Sequence, residues 1–148
     1  SSVKPASTML YVIDQALDTL YVQNPPNNGT LTTPVKINTD LGNDVGFDIA
    51  GTANSPYVTN AGANSLSAYS IDAALGTLLP LGAAVPTGEF PRSVVIEPNG
   101  KFAYVMNLRS DDVSTYAIDI TNGMPVAMGP RVAVGLSPAL MAIVAPTP

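Results

Sequence analysis

Residues 55–82, SPYVTNAGANSLSAYSIDAALGTLLPLG, recur as residues 102–129, FAYVMNLRSDDVSTYAIDITNGMPVAMG. Tyr57 corresponds to Tyr104, Asn60 to Asn107, Tyr69 to Tyr116, Ile71 to Ile118, Asp72 to Asp119 and Gly82 to Gly129, each pair 47 residues apart. A fixed period without gaps implies one supersecondary unit that is stacked on copies of itself. The period also reaches back into the first third of the chain. Gly29-Thr30-Leu31 precedes Gly76-Thr77-Leu78 by the same interval, and Ile49 stands to Tyr57 as Ile96 stands to Tyr104.

Each unit reads as four short strands. In the first, residues 8–14 (TMLYVID), 17–24 (LDTLYVQN), 30–37 (TLTTPVKI) and 46–50 (GFDIA) are rich in Tyr, Val and Ile, and Pro25-Pro26-Asn27-Asn28-Gly29 supplies a turn. The second unit offers residues 56–60, 65–72, 77–85 and 93–98, and the third offers 102–107, 113–119, 124–129 and 140–146. Hairpins are expected at Asn28-Gly29, Asn99-Gly100 and Asn122-Gly123, where the second residue accepts a positive φ. Residues 1–7 read as a flexible lead-in broken by Pro5, and residues 8–148 as a single domain.

Alternation assigns the faces. Phe102, Tyr104 and Met106 share one side of their strand and Ala103, Val105 and Asn107 the other. The large residues Tyr57, Tyr69, Ile71, Phe102, Tyr104, Tyr116 and Ile118 are expected to lie buried between sheets. Residues 93–98 and 140–146 are nearly apolar throughout, as innermost strands covered on both faces would be. Four antiparallel strands in a repeat of this length describe a β-propeller blade, and an all-β fold of three such blades is the reading. A β-sandwich would also give evenly spaced turns. It does not require identity at a fixed period.

Residues 55–144 resemble the propeller family of bacterial lactonases related to 6-phosphogluconolactonase, together with the similar YVTN-repeat surface proteins. The resemblance rests on Tyr57-Val58-Thr59-Asn60 and Tyr104-Val105-Met106-Asn107, the Ala68-Tyr69 and Thr115-Tyr116 strands that end in Ile-Asp, Phe90-Pro91-Arg92, and Glu97-Pro98-Asn99-Gly100-Lys101. Residues 8–51 are similar to an uncharacterised bacterial repeat family, through the segment from Gln23 to Thr32. The lactonase resemblance implies a ring of seven blades, of which this chain holds three. It also implies a channel site of His, Glu and Arg, and it places Arg92 facing that channel. Its counterparts one period away, Val45 and Ala139, are not cationic.

Composition limits the chemistry. Histidine and cysteine are both absent, which removes the commonest general base near neutral pH, the commonest metal ligand, the thiolate nucleophile and any disulfide. Serines abound but none has an evident activating base, so a hydrolytic nucleophile is not supported. Six Lys and Arg against eleven Asp and Glu form no basic stripe, which argues against nucleic acid. No run of about 18 apolar residues suggests a membrane span, and no leader segment is recognisable at Ser1. An acidic chain poor in Lys suits a secreted or cell-surface protein.

Two clusters are candidate sites. Arg92 with Glu89 or Glu97 could bind a carboxylate or phosphate through the planar guanidinium fork, or could be an ordinary solvated turn. Asp40, Asn43, Asp44 and Asp48 gather oxygen ligands compatible with Ca²⁺, but without EF-hand spacing, and Asp-Leu-Gly-Asn-Asp is also a common turn sequence. No other cofactor is expected. Arg109, Asp111 and Asp112 read as a solvated hairpin tip, and Asp72 and Asp119 as turn caps.

The functional expectation is a non-catalytic repeat module acting as a surface, structural or self-assembling scaffold. The alternative is a sugar-acid lactone hydrolase or a ligand-binding remnant of one. The chain opens near a second strand and closes on a spare first strand, so the expected partner is another copy, joined head to tail as a dimer or filament.

Overall fold

Strands alternate with turns because Val, Ile, Tyr and Thr occupy the runs while Gly, Pro, Asn and Asp occupy the breaks. The computed structural model describes residues 10–14, 19–23, 35–38, 49–52, 55–72 and 78–144, with side chains over the last two segments. Among the described residues every regular element is a strand, and every pairing is antiparallel.

The first sheet has the order β1 (Leu10–Asp14), β2 (Thr19–Gln23), β3 (Val35–Asn38). The second runs β4 (Ile49–Thr52), β5 (Ser55–Asn60), β6 (Ser65–Ile71), β7 (Leu78–Pro80), with β8 (Val85–Pro86) also on β6. The third runs β9 (Pro91–Ile96), β10 (Phe102–Asn107), β11 (Asp112–Ile118), β12 (Pro125–Ala127), with β13 (Val132–Ala133) also on β11. The edge strands β4 and β9 lie against each other.

The units read from the sequence are therefore offset by one strand from the sheets. The apolar strand that ends one unit pairs with the YVTN-type strand of the next: Val94 sits opposite Val105 and Ile49 opposite Val58. Pro80 and Gly82 divide the expected 77–85 strand into β7 and β8. Hairpins form at Asn99-Gly100 and Asn122-Gly123, with Gly100 at φ 72° and Gly123 at φ 74°. Asn28-Gly29 lies outside the described residues, as does the 1–7 lead-in.

Register defines two faces per sheet, because residues directly opposite each other on neighbouring antiparallel strands share a side. On the second sheet Tyr57, Leu66 and Ala68 share one face; on the third, Val94, Ala103, Val105 and Tyr116 share the opposite one. These seven residues are all buried and form a single cluster, with Leu81, Val85, Ile96, Ile118 and Met124 packed around it. The Tyr57 face of one sheet thus packs on the face of the next that carries Val94, Ala103, Val105 and Tyr116, so large side chains of each sheet meet small ones of the other. At about 25 cal/mol per Å², each buried tyrosine ring is among the largest single apolar contributions in the molecule.

The expected burial holds for Tyr57, Tyr69 and Tyr116 and fails for Phe102, Tyr104, Ile71 and Ile118, which are half-buried. Tyr104 has the same place in its sheet as Tyr57, but no described sheet follows the third one to cover it. Residues 140–144, expected as an innermost strand, form no strand and are mostly exposed. Among the described residues no strand pairs with them.

Candidate functional site

All three arginines of the chain, Arg92, Arg109 and Arg131, gather at one end of the second and third sheets. That rim is formed by the hairpin tips 61–64 and 108–111 and by the 87–90 loop, which delivers the chain to β9. The loop is tied to both tips. Thr87 N donates to Asn64 O at 2.9 Å and Phe90 N to Asn64 Oδ1 at 2.8 Å, while Leu108 N donates to Phe90 O at 2.9 Å and Arg109 N to Glu89 O at 3.1 Å. Asn64, Asp111 and Phe90 hold φ values of 50°, 54° and 54°. Asn and Asp tolerate the left-handed region, but an aromatic residue rarely does, so the Phe90 turn is strained and held by its bonds. The Arg109 guanidinium lies 4.4 Å above the Phe90 ring and so caps it by a cation–π contact.

Beneath this loop lies a polar brace. Asn107 Nδ2 donates to Asp112 Oδ1 at 2.7 Å and to Ser114 Oγ at 2.9 Å, and Ser110 Oγ donates to the same Asp112 oxygen at 3.1 Å. Arg131 Nε stands 3.3 Å from Asp112 Oδ2, and Arg131 reaches Thr87 O at 3.4 Å. One period earlier the brace is repeated without charge: Asn60 Nδ2 donates to Ser65 Oγ at 2.9 Å and Ser67 Oγ at 2.8 Å. Asn60 Oδ1 and Asn107 Oδ1 are both buried without a partner. Recurrence in both sheets marks the brace as a structural device of the repeat. Asp112 is consequently buried and bonded, whereas a solvated tip was expected; the spacing Asn-x4-Ser/Asp-x-Ser, common to both units, is the sequence signal for it.

Of the expected ligand-binding residues, Arg92 and Glu89 flank the start of β9 at this rim and both are exposed. Glu97 follows the far end of β9, so the length of that strand, roughly 20 Å, separates it from Glu89. Its Oε2 is buried and unpartnered, and its backbone closes the turn to β10 through Gly100 N. No described residue forms an ion pair with Arg92. Asp40, Asn43, Asp44 and Asp48 lie outside the described residues, and among the described residues no cluster of acids could hold a metal. Asp119 does cap its turn, accepting from Thr121 N at 2.8 Å and Thr121 Oγ1 at 2.6 Å, bonds that hold its carboxyl below the ordinary value of 3.8.

A cleft of about 70 Å³ opens at the outer seam between Pro86, Thr87, Tyr116, Ala127 and Arg131. It has room for about two water molecules and is far smaller than an organic-ligand pocket. No described helix is long and apolar enough to cross a membrane.

The fold has close counterparts among solved structures. The putative 6-phosphogluconolactonase of Bacteroides fragilis NCTC 9343 superposes with a TM-score of 0.73 at 22% identity, over 91% of this chain and 42% of that one. The periplasmic gluconolactonase PpgL of Pseudomonas aeruginosa gives 0.72 at 21% identity, over 93% and 43%. A Bacteroides uniformis ATCC 8492 protein of the former description gives 0.74 at 20% identity, over 87% and 38%. At these identities the likeness establishes a lactonase-type propeller fold, and the chain spans about two fifths of each relative's length. No curated protein matches the chain. The family model described as a domain of unknown function, DUF4394, matches residues 1–94, and the chain belongs to that family.

Proposed function

We propose that this chain supplies three four-stranded blades of a lactonase-like propeller, and that the rim at the start of β9 binds a sugar-acid lactone or its open acid. The observation that carries the reading is Arg92. It is exposed at the entry of a strand that lies on an edge of its sheet, in a fold shared with a periplasmic gluconolactonase and with lactonase-type proteins. A guanidinium with no ion pair among the described residues offers parallel N–H donors to a carboxylate or to a lactone carbonyl oxygen. Glu89, exposed on the same rim, provides an acceptor for sugar hydroxyls. Hydrolysis of the lactone adds water across the ring C–O bond and yields the carboxylate that Arg92 would hold. The periplasmic relative supports an extracytoplasmic setting for this chain too.

The absence of histidine favours a second reading, a non-catalytic propeller module that serves as a surface or assembly scaffold. One titration separates the two. Gluconate and glucono-δ-lactone are added to the purified chain while binding and lactone opening above the buffer rate are followed. Binding that Arg92→Ala weakens by about 10- to 100-fold, as loss of one charged hydrogen-bonding group would, supports the lactone reading. Binding unchanged by Arg92→Ala, or no binding at millimolar ligand, overturns it in favour of the scaffold.

A further inference from the structure

Arg92 occupies an irregular step in its sheet. Along β9 and β10, Ser93 stands opposite Met106 and Pro91 opposite Asn107, so two steps of β9 are set against one of β10 and Arg92 has no counterpart on that strand. An extra residue of this kind bends its strand and re-aims the local side chains. Arg92 is exposed there between the buried Pro91 and Ser93. Pro91 brings no N–H to the ladder, and before it stands Phe90, held at φ 54°.

The bend is held from the second sheet by one exposed residue at a hairpin tip. Asn64 Oδ1 accepts from Phe90 N at 2.8 Å, and Asn64 O accepts from Thr87 N at 2.9 Å. The third sheet holds the same loop from the other side, where Glu89 N donates to Ser110 Oγ at 2.9 Å and Leu108 N to Phe90 O at 2.9 Å. Both backbone groups of Phe90 are therefore bonded, each to a different sheet, and this pins a φ that an aromatic residue rarely adopts. The clamp recurs one period on: Asp111 Oδ1 accepts from Ser137 N at 2.7 Å and Asp111 O from Val134 N at 3.0 Å, with Ser137 at φ 52°. There the residue in the place of Arg92 is Ala139. The clamp thus belongs to the repeat, and between the second and third sheets it fixes the entry of a strand that carries a cation.

We propose that Asn64 is a positioning residue for Arg92: by locking Phe90 in the left-handed conformation it sets the bulge from which the guanidinium leaves the sheet. Asn64 belongs to the hairpin tip of the second sheet and Arg92 to the first strand of the third, so the rim is assembled across the seam. A fork of two N–H donors binds a carboxylate well only when its direction is fixed beforehand, and a small misplacement costs affinity. As a role in ligand binding this rests on the lactone reading of Arg92. As a statement about the backbone from Phe90 to Arg92 it stands without that reading.

Asn64→Gly removes only the side-chain acceptor, since glycine takes φ 50° freely and keeps the carbonyl that Thr87 uses. Asn64→Asp keeps an acceptor, as Asp111 does. By NMR of the nitrogen-15-labelled chain, exchange of the Phe90 amide is expected to quicken at least about tenfold in Asn64→Gly, and the Arg92 amide order parameter to fall from about 0.85 towards about 0.6. Asn64→Asp is expected to restore both. Unchanged exchange and order in Asn64→Gly, Asn64→Asp behaving as Asn64→Gly, or a loss of protection spread over the whole chain instead of residues 87–92 each overturns the proposal. Gluconate is then titrated into the same proteins. Where the parent binds it through Arg92, Asn64→Gly is expected to weaken binding about 3- to 10-fold without abolishing it, and binding equal to the parent overturns the positioning role. A parent that does not bind gluconate overturns the lactone reading instead, and the exchange and order measurements still decide the role of Asn64.

Discussion

The Tyr57 hydroxyl donates to the Gly123 carbonyl oxygen at 2.8 Å, across the seam between the second and third sheets. In the reverse direction Tyr116 OH donates to Pro86 O at 2.6 Å. The two bonds clasp the seam from both sides, one tyrosine on each sheet, and each phenol is anchored to backbone that a Gly or Pro turn has brought within reach. Both tyrosines recur one period away, as Tyr104 and Tyr69.

Truncating Tyr57 and Tyr104 should therefore have unequal effects although the two are sequence equivalents. Tyr57→Ala removes a ring that is 0% exposed and is expected to cost about 3–5 kcal/mol. Tyr57→Phe loses the hydrogen bond alone, about 1 kcal/mol. Tyr104 is half-buried on the open face, so Tyr104→Ala should cost the monomeric chain about 1 kcal/mol. Urea unfolding of dilute protein measures this, and equal losses at the two sites would contradict the seam geometry.

Burial raises the Tyr57 and Tyr116 phenols above the ordinary value of 10.0. A raised acid keeps its proton longer in the folded chain than in the unfolded one. Its contribution is thus fully present below pH 10.0 and lost as pH climbs through the folded value. Stability should be flat in this respect up to about pH 10 and should fall above it, and Tyr116→Phe should flatten that alkaline limb. Tyrosinate absorbance followed against pH, folded and in denaturant, gives the check: all six tyrosines titrating together in the folded chain would refute it.

The opposite sign applies at Asp119, whose carboxyl is lowered by its bonds from Thr121. A lowered acid contributes above its unfolded value of 3.8, and the contribution disappears as pH falls through the folded value. Asp119→Asn should then destabilise the chain slightly at pH 7 and not at all near pH 2. Melting temperatures of both proteins at the two pH values test this, and a difference that persists in acid would mean the carboxylate charge is irrelevant to the turn.

Much of this fold was legible because the repeat appears in the residues themselves. Period-two alternation and the Asn-Gly turns gave the strands, and the 47-residue identity gave the stacking. The lost parts are those that depend on neighbours. Alternation treats Tyr57 and Tyr104 alike, and only the sheet packed on one and missing from the other separates them. The 140–144 run is apolar enough for an inner strand, but a strand needs a partner backbone that sequence pattern does not supply. The sequence grouped Arg92 with Glu89 or Glu97, but a strand's length separates the two acids, and proximity in the chain does not show that. The role of Asp112 was not legible either, because an acid at a hairpin tip looks solvated until Arg131 and Asn107 are seen to reach it.

That buried brace makes Gly88 the least replaceable glycine on the rim. A methyl group there would stand 2.6 Å from both Asn107 Nδ2 and Asp112 Oδ1 and in outright clash with Ser110 Oγ. Those atoms end flexible side chains, but each is fixed by hydrogen bonds inside a buried network, so moving one unpairs another. Gly88→Ala is expected to cost about 2–3 kcal/mol, the combined penalty of overpacking and of a broken polar network. Gly82 offers the contrast. Its added methyl would meet only the Met124 side chain, at 3.1 Å to Cε and 3.2 Å to Sδ, and an unbranched thioether can swing aside. Gly82→Ala should therefore leave the unfolding midpoint within about 0.5 kcal/mol of the parent. Paired denaturation curves decide the matter: if both alanines are tolerated alike, the Asn107–Asp112–Ser110 network is plastic and the rim it supports is not rigidly built.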